Sequence, residues 1–168
     1  MRRGALLLAA LLGAAALPAG IAAARDSLGI YGRWGAFRDP QVPRCYAIAM
    51  AEVPPGRRID YRPFATVGHW PRRGIRNQVH FRLSRQLVAG SPIRLAIGSQ
   101  RFDLAGGGGD AWALDARMDA AIVAALRSAE TMSIAARSVR GGSFRDNYTL
   151  AGAATAIDAA AVGCARTR

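Results

Sequence analysis

A mostly β fold with an α component, either a compact β-sandwich or a partly closed barrel with two short C-terminal helices, is what this sequence predicts. Three observations carry the prediction. Short apolar–polar alternations recur between turn residues through the middle of the chain. Two later segments repeat at helical spacing instead. Two cysteines, Cys45 and Cys164, bracket nearly all of this pattern.

The strands are taken in order. Ile30–Phe37 reads as a first strand closed by the Asp39-Pro40 turn. Cys45–Glu52 reads as a second, with Tyr46, Ile48 and Met50 on one face and Pro54-Pro55-Gly56 as its stop. Val79–Arg85 has the clearest alternation. Val79, Phe81 and Leu83 point one way, and His80, Arg82 and Ser84 the other. Ile93, Leu95 and Ile97, then Phe102 and Leu104, flank Gly98-Ser99, a pair suited to a type II′ hairpin turn. Gly106–Gly109 reads as a flexible connector. A phosphate cradle would need a lysine and a strand-to-helix context. Met132–Val139 and Ser143–Leu150 read as strands joined through Arg140-Gly141-Gly142.

Two helices complete the fold. In Asp115–Glu130, Asp115 caps the N-terminus, Asp119 suits the positive end of the dipole, and Met118, Ile122, Ala125 and Leu126 form one apolar stripe. Gly152–Val162 is almost all alanine around Ile157, and Cys164 would tether its end.

Residues 1–24 read as a secretory signal. Arg2 and Arg3 supply the positive start, Ala5–Ala16 the apolar core, Pro18 and Gly20 the helix break, and Ala22-Ala23-Ala24 the small residues for cleavage. Pro18 and the run of small side chains oppose the alternative, an uncleaved membrane anchor. Cleavage near Ala24 leaves residues 25–168 as a single β-rich exported domain, periplasmic or secreted. An even cysteine count in that compartment favours a Cys45–Cys164 disulfide, the alternative being two unrelated thiols.

The formal net charge is +12, and all 23 basic residues are arginines. Codon bias in a GC-rich gene accounts for part of this excess. The absence of lysine rules out a side-chain Schiff base and a P-loop, and the reading calls for no cofactor. With only His69 and His80, and no ligand spacing between them, no metal site is expected. Arg57, Arg58, Arg62, Arg72, Arg73 and Arg76 fall within 20 residues, interleaved with Tyr61, Phe64 and Trp70. Guanidinium groups pair bidentately with phosphate and carboxylate, and aromatic rings add stacking. His69 and Trp70 lie in Gly68–Arg76, read as an irregular binding loop. In the cytoplasm this mixture would suit nucleic acid. Export points instead to an anionic envelope component or a protein partner, with peripheral membrane contact allowed, and to no nucleic acid. No catalytic residues are assigned. The alternative is a hydrolase of cell-wall or polysaccharide material, which would need a pocket joining His69, a carboxylate and Ser143.

The C-terminal half resembles the invasion-associated locus B family of exported proteobacterial proteins, or a closely similar exported family of unknown function. The carrying residues are Met118–Ala129, Met132-Ser133-Ile134, Arg140-Gly141 and Tyr148–Ile157, with Trp34–Phe37 and Arg44-Cys45 matching the family's opening. The chain lacks the mid-chain cysteines of many relatives. The resemblance implies a mostly β envelope protein without established enzymatic activity, with host interaction as a wider setting.

Overall fold

The computed structural model describes residues 25–39 and 41–165. The expected signal segment and Pro40 lie outside the described residues. The described chain forms β1 (Asp26–Tyr31), β2 (Trp34–Asp39), β3 (Arg44–Met50), β4 (Phe64–Trp70), β5 (Ile75–Arg82), β6 (Ile93–Ile97), β7 (Gln100–Gly107), β8 (Asp110–Trp112), α1 (Ala116–Ser128), β9 (Thr131–Arg137), β10 (Ser143–Thr149) and α2 (Ala153–Ala165). A 3-10 turn, Pro71–Arg73, joins β4 to β5.

The strands make one antiparallel ten-stranded sheet in the order β1-β2-β3-β4-β5-β8-β7-β6-β9-β10. It does not close into a barrel; β1 and β10 remain its edges. One bridge, Glu52 to Asn147, reaches β10 from the segment after β3. The sheet folds at β7, whose residues through Leu104 pair with β6 and whose residues from Ala105 pair with β8. Both halves then bury their inner faces in a single cluster with the helices, a sandwich-like α+β arrangement.

Three expectations change. Ile30–Phe37 is not one strand. Gly32-Arg33 turns the chain back, so that Tyr31 faces Trp34 across a hairpin. Gly68–Arg76 is not an irregular loop but the end of β4, the 3-10 turn and the start of β5. The four glycines are not a flexible connector either. Gly106 and Gly107 belong to β7, and Gly108-Gly109 turn tightly into β8. The helices stand where the pattern puts them, within two or three residues at each end.

α1 starts as expected: the Asp115 carboxylate accepts a hydrogen bond from Met118 N at 2.7 Å. Asp119 does more than complement the helix dipole. Along β5, β8 covers only His80–Arg82, and beyond its end the Asp119 carboxylate accepts from Val79 N at 2.8 Å. α1 is thereby fixed to β5. α2 lies across β1 to β4, and its buried alanines, Ala153, Ala156 and Ala160, let helix and sheet backbones approach closely. Cys45 of β3 and Cys164 of α2 form the disulfide, with Cα atoms 5.6 Å apart. No helix among the described residues is long and apolar enough to cross a membrane.

Tyr148, 1% exposed, has no hydrogen-bond partner for its OH, and burial, reinforced by the nearby Asp146 charge, raises its pKa. A raised folded-state value means that stability is complete below the unfolded pKa, about 10, and is lost as pH rises above it. Wild-type stability should fall above pH 10 by up to about 1.4 kcal/mol per pH unit from this group. Tyr148→Phe should remove that slope. It should not weaken the protein at pH 8, since it deletes a buried polar atom that has no partner. Urea midpoints at pH 8 and pH 11 check both statements.

Candidate functional site

Strand alternation sorts β3 and β4 into two faces. Cys45, Ala47 and Ala49 of β3, and Ala65, Val67 and His69 of β4, share the inner face with α2. Tyr46 and Ile48, and Phe64, Thr66, Gly68 and Trp70, share the outer one.

This geometry removes His69 from the expected binding surface. It is 6% exposed, pairs across the ladder with Cys45, and lies beside the disulfide. Its Nδ1 accepts from Asn77 N at 3.4 Å, and its Nε2 has no partner. Burial first, and the charge of Arg76 second, lower its pKa and hold the ring neutral. His69 therefore packs in the interior. Trp70, next in sequence, faces out.

The six arginines do not form one cluster. Arg57, Arg58 and Arg62 lie before β4; Arg72, Arg73 and Arg76 lie after it. Seven residues of strand put the two groups about 20 Å apart. Arg57 is half-buried and near enough to Asp146 to act on its carboxylate; the other five are exposed. The two groups still share one property. Among the described residues, ion pairs join Asp26, Asp39, Asp60, Asp103, Asp110 and Asp158 to other arginines. Asp115, Asp119 and Asp146 accept from backbone amides of Met118, Val79 and Ser84. No carboxylate among the described residues forms an ion pair with the six; Asp146 acts on Arg57 at longer range, and the other five present exposed guanidinium groups with no ion-paired carboxylate.

Between the two arginine groups lies a face that sequence reasoning missed. Phe37 and Tyr46 have ring centroids 5.9 Å apart, and Arg44 sits 4.9 Å from the Tyr46 centroid. The Trp70 indole folds back over Gly68, where an added Cβ would come within 2.5 Å of it. On the other side, Phe64 meets His80 edge-on at 5.6 Å, and His80 stacks on Trp112 at 5.1 Å. Asp110 accepts from His80 Nε2 at 3.0 Å and also pairs with Arg82, whose guanidinium lies 3.8 Å from the Tyr61 ring centroid. Tyr46 is buried at 7% exposure; Phe37, Tyr61, Phe64, Trp70 and His80 are partly exposed, and Trp112 is exposed. The signal was present as Phe64-x-Thr66-x-Gly68-x-Trp70, but the positions between them, Ala65, Val67 and His69, hide the period.

The geometry does not assemble the hydrolase pocket. Ser143 is exposed at the start of β10, opposite Arg137, whereas His69 points inward from β4. An open hollow of about 690 Å³ is lined by Gly32, Arg33 and Met50–Pro54. Another, of about 540 Å³, lies between Val88–Pro92 and the Arg137–Gly142 turn. Neither is lined by His69 or Ser143. No three His, Cys, Asp or Glu side chains among the described residues gather as a metal site.

No protein-family model matches the chain, and no curated protein matches it. Among solved structures, the chain is similar to the crystal structure of invasion associated protein B from Bartonella henselae. The TM-score is 0.58 at 18% identity, over 83% of this chain and 98% of that one. At that identity the likeness is one of fold.

Proposed function

We propose that the domain is a non-enzymatic accessory protein of the bacterial envelope, exported to the periplasm or beyond. It binds an anionic envelope component; an acidic protein partner is the other occupant its charge would suit. One observation carries this reading: six arginines in a 20-residue stretch have no ion-paired carboxylate, while most of the acids are committed to other arginines or to backbone amides. Uncompensated guanidinium groups at a surface recruit phosphate and carboxylate from outside. The signal-like N-terminus and the disulfide support an oxidising compartment. The Bartonella neighbour is an invasion associated protein, and host contact is the wider setting we propose for this chain.

Replacing Arg72, Arg73 and Arg76 together by Gln tests the reading on vesicles containing lipopolysaccharide. Each arginine near an anionic surface is worth about 1 kcal/mol, so retention should fall on the order of a hundredfold and should also weaken with salt. Equal retention of variant and wild type would sink the charge-based reading.

A further inference from the structure

We propose that the outer face of β2-β3-β4-β5-β8 is a platform for an extended anionic polysaccharide. This deepens the envelope-binding reading and rests on it.

The face has the composition of a sugar-binding surface. Phe37 packs on the buried Tyr46, the Trp70 indole lies over Gly68, the cross-strand partner of Tyr46, and Phe64, His80 and Trp112 form a second aromatic group. Ile48 and Thr66 lie between them and keep the relief low. A pyranose ring presents apolar C–H groups on its faces and hydroxyls around its rim. The first suit aromatic planes; the second suit a polar network beside them. The Arg82–Asp110–His80 network supplies those polar partners next to Trp112. Trp112 is 40% exposed, with His80 stacked on one side and only the small Ala105 as its other cross-strand neighbour. One indole face is therefore open to a ligand ring.

Charge sets the class of polymer. Arg58 and Arg62 stand at one end of β4, and Arg72, Arg73 and Arg76 at the other, about 20 Å away. A chain long enough to cross the platform meets uncompensated positive charge at both ends, so acidic groups repeated along it are matched twice. A protein partner fits less well. Its interface core would have to cover the charged Arg82–Asp110–His80 network, whereas cores of such interfaces are depleted of charge and desolvating a pair is costly. Glycan hydroxyls replace the water around that network hydrogen bond for hydrogen bond.

The test is calorimetric titration of the intact, disulfide-bonded protein with oligogalacturonate, with neutral dextran and with oligothymidylate. Wild type should bind the uronate chain and not dextran. Trp112→Ala should weaken uronate binding about tenfold, the scale of one aromatic stacking contact, and Trp112→Phe should restore most of it. Circular dichroism of both variants verifies that they fold. Equal uronate binding by wild type and Trp112→Ala would overturn the platform and leave binding by charge alone. Tighter binding of oligothymidylate than of a uronate chain of equal charge would overturn the polymer class. Retention of wild type on lipopolysaccharide vesicles without any uronate binding would also overturn the platform, while the envelope reading would stand.

Discussion

Replacing Cys45 and Cys164 together by alanine should lower the stability of the folded domain by about 5 kcal/mol. The bridge closes a loop of 119 residues, and the entropy that such a closure removes from the unfolded chain accounts for about that much. For a domain of this size the melting temperature should drop on the order of 15 °C. The consequence is severe, because whole domains are stable by only about 5–15 kcal/mol. The physical role is specific. Cys45 sits on the inner face of β3 near the start of the described chain, and Cys164 in the last turn of α2 near its end. The bridge holds the helix that covers β1 to β4 against the strands it covers. Urea unfolding of wild type, reduced wild type and the double variant checks this. A loss below about 1 kcal/mol in both altered forms would mean that the unfolded chain is already restricted without the bridge. Loss in the double variant alone would assign the effect to packing of the two buried side chains.

Trp34→Ala should cost about 3–5 kcal/mol, the range for emptying a large aromatic site in a core. Trp34 is fully buried on β2, and its Nε1 donates to the Thr149 carbonyl at 3.1 Å, 115 residues away. That bond lies at the joint where β10 gives way to α2. Gly152 occupies the same joint with φ +89°, and its Cα approaches the Tyr31 carbonyl so closely that any Cβ would overlap it. Trp34 thus anchors the C-terminal helix to the first hairpin. Trp34→Phe should fall between wild type and alanine. It keeps much of the apolar volume and leaves the Thr149 carbonyl without its donor, a penalty of about 1–3 kcal/mol. Chemical denaturation of the three proteins gives the comparison. A Trp34→Ala protein as stable as wild type would show that the joint is held by other contacts.

Local patterning and chain chemistry were enough to determine several features of this protein. The mostly β class, the strands around Val79–Arg85 and Ile93–Leu104, the helix capped by Asp115 and the pairing of the only two cysteines all follow from them. The reason is physical: a strand buried on one face must alternate, a helix on a core must repeat every three to four residues, and a cap must offer an oxygen to an amide. The candidate site was legible only as a list of arginines and aromatics. Its shape depended on β4, and β4 hides its own period. Its outer face carries Phe64 and Trp70, and its inner face carries small residues and a buried histidine, so hydropathy does not alternate where burial does. Only the register of β3, β4 and β5 showed that this segment divides the arginines, turns His69 inward and sets Gly68, over which Trp70 folds, opposite Tyr46. The pairing of β5 with β8, 30 residues further along the chain, brought His80 to Asp110 and Trp112. These are contacts between strands distant in sequence. No local propensity encodes them, because they are selected by which faces can be buried together once the sheet folds over its helices.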